Sequence, residues 1–396
     1  MNVWIVNPFD NLPLEGYRPM RYWLMAEAFA AAGCNVVYWT GDFSHANKKK
    51  RVLVEKDAAS DFEIVQLPVV PYYSNISLRR VISHTLLARK FLKEAQSSVG
   101  NGTYDSPHLI VASSPPLGLV SAVHKFAAQF KSKVIVDVMD AWPETFERIV
   151  PRIFLLPLRA IAKRNYFKAS AVTTVAESYS DLVRGYGYKG AVKRFFHGIA
   201  LGSNDRLQGS VTSVKQIRFV YAGNLGLSYD LMTVLRALCR CGSSVHLDIA
   251  GKGEGESVLK DFVVKENLGN VRFHGYLPES ELSELLSASD VGIVPMDPAS
   301  CVAVPYKFAD YAKYSLAIVS SLGGESARLL RQYGAGAPYE HGNIDSLVEA
   351  IEKVISNITL MRSASRKMAE EEFNASVIYR EYASFAMQIS EKPNGD

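Results

Sequence analysis

Short apolar runs rich in Val and Ile alternate along the chain with longer amphipathic stretches. This alternation predicts parallel strands joined by crossover helices. In the first half, strands are predicted at residues 3–7, 35–39, 63–67, 109–112, 134–138 and 171–175, with helices at 18–32, 78–96, 117–130 and 179–184. The pattern begins again after residue 200, with strands at 217–222, 245–249, 271–274, 291–295 and 317–319, and helices that include 231–239, 256–266, 279–286 and 306–313.

Residues 201–210 between the two halves are polar and contain glycine, as expected of a linker. The pattern therefore predicts an α/β protein with two doubly wound Rossmann-like domains, residues 1–200 and 201–374. In open parallel sheets, ligands bind beyond the carboxyl ends of the strands. We therefore expect the site in a cleft between the domains, at residues that follow the strands.

The composition excludes several classes of protein. The 396 residues are 48% hydrophobic with a formal net charge of +4, which excludes a disordered tail. The chain contains no apolar run long enough to span a membrane, and its first residues lack the basic region of a signal peptide. We therefore expect a cytoplasmic protein. Residues 1–200 carry 25 basic and 16 acidic side chains, whereas residues 201–396 carry 19 and 24, so the first half is the basic one.

The four cysteines are sparse and irregularly spaced: Cys34, Cys239, Cys241 and Cys301. They provide no disulfide framework, which suits a reducing compartment. Cys239 and Cys241 lack a second Cys or His pair at the spacing of a closed zinc site. We therefore predict no structural metal.

The loop after the first predicted strand opens a helix with glycine and arginine. Gly16 lets the backbone approach a ligand, and the helix N-terminus with Arg18 and Arg21 suits an anion. The alternative is a loop with two solvated arginines.

Polar residues also follow two later strands of the first half. Ser113 and Ser114 end one strand, and Asp140 and Glu144 follow the next, where carboxylates can take part in chemistry. The alternative for Asp140 is a helix cap.

In the second half, glycine turns follow two strands. Gly223 and Gly226 bracket a turn that could hold a diphosphate, and the turn around Lys252 repeats the device. That second turn lacks the end of a P-loop, and a plain flexible turn is its alternative. Further on, a helix that begins near Pro305 places Lys307 and Asp310 on one face. Lys307 could bind a phosphate and Asp310 a ribose diol; the alternative is a simple ion pair between them.

The order of these segments resembles the retaining family-4-type glycosyltransferases of the GT-B fold, especially the subgroup that makes bacterial cell-surface polysaccharides. The resemblance covers nearly the whole chain. It rests on the segments at residues 113–116, 140–144, 221–226, 270–278 and 288–295 and on the Pro-x-Lys-Phe helix at 305–308.

The resemblance implies a UDP or GDP sugar as donor, held mainly by the C-terminal domain. It also implies an acceptor on the N-terminal domain and a final helix, residues 375–396, that crosses back to that domain. The candidate donor-binding residues are Gly16, Arg18, Gly223, Asn224, Gly226, Lys252, Tyr276, Leu277, Pro305, Tyr306 and Asp310. The candidate catalytic residues are Asp140, Lys307 and Arg21, and the acceptor-side residues are Ser113, Ser114 and Glu144.

The sequence departs from the family pattern at two positions of its Glu-(seven residues)-Glu motif. Asp310 stands where the second glutamate is usual, and Val302 stands at the first. The chain also contains no Asp-x-Asp motif, so we expect catalysis without a metal or other cofactor. Lys307, Arg18 or Arg21, and the N–H groups of the glycine turns would then stabilise the diphosphate leaving group.

Two other functions fit the same fold. A nucleotide-sugar epimerase would need no acceptor, and a non-catalytic subunit would bind the sugar nucleotide without turnover.

Two basic amphipathic segments, residues 78–93 and 148–168, suggest contact with an anionic membrane surface. The alternative is a pair of helices whose apolar faces belong to the core. No nucleic-acid motif is present, so we expect no nucleic-acid partner.

Overall fold

The computed structural model describes residues 1–45, 47–51, 61–74, 77–202, 216–226, 229–242 and 245–392. It divides into two compact units. Unit 1 contains Met1–Phe196 and Ala375–Asp396, and unit 2 contains His197–Asn374. Most of the expected linker at 201–210 lies outside the described residues.

Both units are built on parallel sheets. The strands are β1 (Asn2–Val6), β2 (Asn35–Gly41), β3 (Phe43–Ser44), β4 (Lys49–Lys50), β5 (Glu63–Leu67), β6 (Leu109–Ser114), β7 (Lys133–Val138), β8 (Ala171–Thr174), β9 (Ala191–Arg194), β10 (Ile217–Ala222), β11 (Val245–Ala250), β12 (Val271–Gly275), β13 (Val291–Val294), β14 (Ala317–Ser320) and β15 (Gly336–Pro338). In the described residues, the sheet of unit 1 has the order β5-β2-β1-β6-β7-β8-β9 and that of unit 2 the order β12-β11-β10-β13-β14-β15. The short strands β3 and β4 form a separate antiparallel pair.

Helices connect the strands. They are α1 (Arg21–Ala31), α2 (Leu78–Gly100), α3 (Leu117–Phe130), α4 (Arg152–Lys168), α5 (Glu177–Gly185), α6 (Leu231–Cys241), α7 (Glu256–Lys265), α8 (Glu279–Ser287), α9 (Tyr306–Lys313), α10 (Gly324–Tyr333), α11 (Ile344–Ser356), α12 (Ile358–Glu372) and α13 (Ala375–Glu391). The Val- and Ile-rich strands are almost wholly buried at the centre of each unit, as expected for parallel sheets covered by helices. The α/β class with parallel sheets is confirmed.

Two local differences from the predicted elements have clear causes. Helix α1 begins at Arg21 rather than Arg18, because Pro19 disfavours a helical conformation at the residue before it. Strand β15 was not predicted, since three residues with Gly and Pro carry little strand signal. It forms because Gly336 lies directly against β14, where an added Cβ would be 1.9 Å from the carbonyl oxygen of Ile318.

A buried polar network joins α1, the sheet and α13 inside unit 1. The Arg21 guanidinium donates to both carboxylate oxygens of Asp137, at 2.8 and 2.9 Å. The hydroxyls of Tyr22 and Thr173 donate to the same carboxylate, each at 2.7 Å. The Thr173 hydroxyl also lies 3.0 Å from that of Tyr382 on α13. Helix α13 is therefore held within unit 1 by a buried hydrogen bond as well as by apolar packing.

Candidate active site

A cavity of about 390 Å³ lies at the carboxyl edge of the sheet of unit 2. It is lined by the residues that follow β10, β11 and β12 and by residues of α8 and α9. Those residues are Ala222, Gly223, Asn224, Ala250, Gly251, Lys252, Tyr276, Leu277, Leu282, Leu286, Lys307, Asp310 and Tyr311. This is the edge where parallel sheets bind ligands.

Lys307 is one of two lysines that line this cavity, with Lys252. It is the second residue of α9, in the first turn after the capping residue Pro305. Its ammonium nitrogen lies 4.4 Å from the ring centre of Tyr221 and 4.0 Å from that of Tyr229, and it donates to the Tyr221 hydroxyl at 3.3 Å. Burial lowers the pKa of Lys307 to about 7, against the opposing effect of Asp310. An anion that entered the cavity would stabilise the charged form.

The glycine turns at 223 and 251 serve packing. The N–H of Gly223 donates to the carbonyl of Ala250 at 2.9 Å, and the N–H of Leu225 donates to that of Lys252 at 3.0 Å. A Cβ at position 251 would lie 1.8 Å from the carbonyl oxygen of Gly223. The expectation that the Gly223 N–H acts on the diphosphate is therefore wrong, because that group is already engaged. The glycines instead let two loops pack backbone to backbone beneath Lys307.

Tyr311 packs at the edge of the cavity. Its ring lies against Gly292, where an added Cβ would be 2.2 Å from the nearest ring atom. Its hydroxyl accepts from the N–H of Ala222 at 3.0 Å and donates to the carbonyl of Ile293 at 3.3 Å. The side chain thus spans the ends of β10 and β13. The sequence did not indicate this residue, because a tyrosine in an amphipathic helix is usually a core residue.

The remaining walls combine Asp310, Lys252 and Asn224 with apolar groups. Asp310 lines the cavity one turn of α9 after Lys307. Tyr276 and Leu277 follow β12, and Tyr276 is largely exposed. Leu282 and Leu286 lie four residues apart on α8 and add an apolar surface that sequence reasoning did not single out.

Three predicted donor residues of unit 2 lie outside this cavity lining. Gly226 accepts the N–H of Tyr229 in the turn after β10. Pro305 caps α9, as the sequence predicted, and accepts the N–H of Phe308. The Tyr306 ring stacks on His197, with their centres 3.9 Å apart. These residues shape the neighbouring backbone.

In unit 1, Arg21 is not available to a ligand. Its side chain has no exposed surface, and its nitrogens are bound by Asp137 and by the carbonyls of Phe195 and Phe196. The expectation that Arg21 stabilises a leaving group is therefore wrong, because the guanidinium is already neutralised inside the fold. Gly16 is exposed with φ +82°, and Arg18 is partly exposed, in the loop before α1. Their role toward the donor stays a prediction.

The acceptor-side candidates are mostly engaged in local structure. Ser113 and Ser114 are buried at the end of β6, so they do not face solvent. Glu144 accepts from Arg159 and from the Tyr186 hydroxyl. The expectation that Ser113 and Ser114 contact an acceptor is wrong, because both side chains are buried. Glu144 is partly exposed, and its contact with an acceptor stays a prediction.

Asp140 lies in the loop after β7. Its carboxylate accepts the N–H of Ala141 at 2.8 Å and the hydroxyl of Thr145 at 3.2 Å, which is the cap-like alternative. Burial raises the pKa of Asp140, although the hydrogen bonds and Arg80 oppose this. Asp140 remains a candidate, because one carboxylate in a buried loop can still face a ligand.

Among the residues that the structure describes, no group of three His, Cys, Asp or Glu side chains is placed to hold a metal ion. All four cysteines are free thiols. Catalysis without a metal stays a prediction.

Comparison with known proteins bears directly on unit 2. Residues 205–372 match the family model of glycosyl transferases group 1, and this range contains every residue that lines the cavity. Unit 2 therefore resembles the glycosyl transferases of group 1. Among curated proteins, none matches the sequence significantly.

Solved structures extend the likeness to the whole chain. Sucrose-phosphate synthase from Thermosynechococcus elongatus shares 14% identity over 98% of this chain and 98% of its own, with a TM-score of 0.74. HepE from Anabaena, in complex with UDP and glucose, shares 13% identity over 98% of this chain and 100% of its own, with a TM-score of 0.68. WaaG, a glycosyltransferase involved in lipopolysaccharide biosynthesis, shares 13% identity over 97% of this chain and 99% of its own, with a TM-score of 0.63. At such identities the likeness shows the fold, and the predicted class of two Rossmann-like GT-B domains is confirmed.

Proposed function

We propose that the protein transfers a sugar from a nucleoside-diphosphate sugar to a cell-surface glycan or lipid-linked acceptor, with retention and without a metal. The observation that carries this proposal is the cavity of unit 2, which combines Lys307 with Asp310 at the carboxyl edge of a parallel sheet, within the range that matches glycosyl transferases group 1. HepE, of similar fold, has been seen with UDP-glucose, and two further structures of this fold are lipopolysaccharide glycosyltransferases. These likenesses support a UDP sugar and a surface-glycan acceptor.

Each wall of the cavity has a role in this proposal. Lys307 binds the diphosphate, and Asp310 accepts hydrogen bonds from the ribose hydroxyls. The base lies between the Tyr276–Leu277 backbone and the leucines of α8. Asp310 is one methylene shorter than the glutamate usual in this position, so it draws the ribose closer to α9.

The chemistry follows from the leaving group. Breaking the anomeric C–O bond leaves negative charge on the diphosphate, and a positioned cation there stabilises the transition state. We therefore expect Lys307→Ala to lower kcat about a hundredfold or more, as for other lost oxyanion donors. Anomeric analysis of the product by NMR tests retention, and an unchanged rate with excess EDTA tests the absence of a metal requirement.

Donor binding is the direct test. Thermal unfolding of the protein with UDP-, GDP- and ADP-sugars should show stabilisation by one nucleotide class, because a ligand bound to the native state alone raises its stability. Calorimetry with that donor should show binding about tenfold weaker or more for Lys307→Gln and for Asp310→Asn. Lys313→Gln, on the last turn of the same helix, is the matched control.

Either of two results would refute the donor proposal. In the first, no nucleotide sugar stabilises the wild type. In the second, Lys307→Gln binds the donor as tightly as Lys313→Gln. Incubation with the donor alone separates a transferase from an epimerase, because only the epimerase converts the sugar without an acceptor.

We also propose that unit 1 contacts an anionic membrane surface, which would hold the enzyme at the inner face of the plasma membrane. No helix in the described part of the chain is long and apolar enough to cross a bilayer. However, α2 and the region of α4 expose apolar side chains beside basic ones. The exposed side chains are Leu78, Val81, Ile82, Ile149, Ile153, Phe154 and Leu156, all more than half exposed.

These exposures support surface contact over the alternative of core-facing helices. Leu78 is 83% exposed and Phe154 69% exposed, so neither packs in the core. Replacing Ile153 and Phe154 by Ser should reduce co-sedimentation with vesicles of anionic lipid. Val258→Ser, at an exposed apolar position of α7 in unit 2, is the control. This role is excluded if co-sedimentation is unchanged by the Ser substitutions and does not depend on anionic lipid.

A further inference from the structure

A cluster of basic and aromatic side chains lies in unit 1, at the carboxyl edge of its sheet. We call it the Arg80 cluster, and it comprises His45, Lys48, Tyr72, Arg80, His84 and Trp142. Its members come from the β3–β4 turn, the segment after β5, the start of α2 and the loop after β7. None of these side chains belongs to the donor cavity of unit 2.

The Arg80 guanidinium is held among three aromatic rings. Its central carbon lies 5.1 Å from the ring centre of Trp142, 5.8 Å from that of Tyr72 and 5.9 Å from that of Phe9. Rings around a guanidinium attract it electrostatically and fix its plane. A fixed fork of N–H donors loses little conformational entropy when it binds an anion.

Two imidazoles beside Arg80 are neutral hydrogen-bond donors. Nδ1 of His45 lies 2.6 Å from the Tyr72 hydroxyl and 3.3 Å from the Lys48 ammonium. Because the ammonium can only donate, Nδ1 accepts and Nε2 carries the proton. His84 accepts at Nε2 from the Nε–H of Arg80 at 3.4 Å, which leaves the proton on Nδ1. Burial, with the nearby cations, lowers the pKa of His45 to about 4 and that of His84 to about 3, so both are neutral at pH 7.

The cluster concentrates positive charge and donors. Burial and Arg80 lower the pKa of Lys48 to about 8, and burial also lowers the pKa of Arg80. The carboxylate that acts on Arg80 is Asp140, whose Oδ1 already accepts from Ala141 and Thr145. Two cations and two imidazole N–H donors are complementary to a group with several acceptor oxygens and negative charge, which describes a phosphate.

We infer that the Arg80 cluster binds a phosphate or diphosphate group of the sugar acceptor. This inference rests on the proposed transferase function and specifies the chemical class of its acceptor. Helix α2 supports it, because Arg80 and His84 lie four residues apart on one face, whereas Leu78 and Ile82 lie four apart on another and are exposed. One helix thus presents an anion-binding side and an apolar side, as a phosphate joined to a hydrocarbon chain requires. A soluble phosphorylated acceptor would use the first side alone.

The test is calorimetric titration with inorganic pyrophosphate and with farnesyl diphosphate, at fixed ionic strength and without divalent metal. All proteins carry Lys252→Gln and Lys307→Gln, so that both lysines that line the donor cavity are absent. In that background, Arg80→Gln and Lys48→Gln should each weaken binding about tenfold or more. Arg79→Gln removes the same charge from the neighbouring residue, which lies over the Tyr73 ring outside the cluster, and should change binding less than about twofold.

The two probes separate the sources of the phosphate. Tighter binding of farnesyl diphosphate that is lost in Leu78→Ser and Ile82→Ser supports a lipid-linked acceptor. Equal binding of both probes, still dependent on Arg80, supports a soluble phosphorylated acceptor. The inference is overturned if neither probe binds, or if Arg80→Gln and Lys48→Gln behave like Arg79→Gln.

Stability and donor binding provide the remaining controls. If Arg80→Gln does not fold, Lys48→Gln decides, because Lys48 lies in a turn between two short strands. Failure of the donor proposal would appear separately, as nucleotide-sugar binding that Lys307→Gln leaves unchanged while the Arg80 effect on pyrophosphate persists.

Discussion

Binding of UDP-glucose should weaken as the pH rises above 7, because Lys307 loses its proton in the ligand-free protein. Burial places the pKa of this lysine at about 7, compared with an ordinary value of 10.5. A bound diphosphate raises that pKa again, since an opposite charge favours the ammonium form. Between pH 7 and the raised value, each binding event takes up one proton. The association constant therefore falls about tenfold per pH unit, or ~1.4 kcal/mol, and is flat below pH 7.

The assay is calorimetric titration of UDP-glucose from pH 6 to 9 in buffers of different ionisation enthalpy, which counts the protons taken up. UDP-glucose is preferable to UDP, whose terminal phosphate titrates near pH 6. The groups that act on the ammonium are Asp310, the Tyr221 hydroxyl, and the rings of Tyr221 and Tyr229. Burial raises the pKa of both tyrosines, away from this range.

Lys307→Arg is the matched control, because a guanidinium keeps its charge throughout this range. It should give a flat profile with no proton uptake. The reasoning is refuted if wild-type binding is independent of pH between 7 and 9, or if Lys307→Arg shows the same slope as the wild type.

Three further changes test the packing around the cavity of unit 2 and the buried polar network of unit 1. Gly251→Ala should destabilise the protein by about 1–3 kcal/mol in urea unfolding and abolish nucleotide-sugar binding, because its Cβ would meet the Gly223 carbonyl oxygen at 1.8 Å. Gly269→Ala is the control, because its Cβ would meet no atom within 4 Å, and it should change neither stability nor binding. Equal effects of the two substitutions would contradict the packing role of Gly251. Tyr311→Phe should cost about 1–3 kcal/mol in the same assay, since the Ala222 N–H loses its acceptor; no measurable loss would exclude that role. Asp137→Asn should cost about 3–5 kcal/mol at pH 7, because it leaves the buried Arg21 charge without its counter-ion. Burial opposes ionisation of Asp137, but Arg21 holds the pKa of that carboxyl below its usual value. Its contribution is therefore present above about pH 4 and is lost as the pH falls through the folded-state pKa. If the difference in unfolding free energy between the wild type and Asp137→Asn does not become smaller at acid pH, the ion pair is not its source.

Several features of the fold could be predicted from the sequence. Predicted and observed bounds agree for β5, β10, α3 and α9, because a buried parallel strand needs an uninterrupted apolar run and a covering helix needs apolar residues every three to four positions. The site of unit 2 was predictable for a related reason. Strand ends at 222, 250 and 275 fix where the following loops lie, so Gly223, Lys252 and Tyr276 had to meet at one edge.

The sequence alone could not determine which polar groups are already bound. Arg18 and Arg21 look alike in a basic loop before a helix, yet Arg21 meets Asp137, 116 residues away, and is buried as an ion pair. Ser113, Ser114 and Glu144 likewise follow strands but are buried or bound to local partners.

The Arg80 cluster also depends on residues that are distant in the chain, but here they gather charged groups instead of neutralising them. His45 and Tyr72 belong to no motif, and the tertiary fold brings them and Trp142 to Arg80 from separate loops. Likewise, burial lowers the pKa of Lys307 to about 7, and this burial, with the rings of Tyr221 and Tyr229 beside the ammonium, cannot be seen in the sequence. Local periodicity thus determined the strands, the helices and the edge that binds ligands. Long-range contacts decided which charges are neutralised and which remain to meet a ligand, because burial and counter-ions depend on residues distant in the chain.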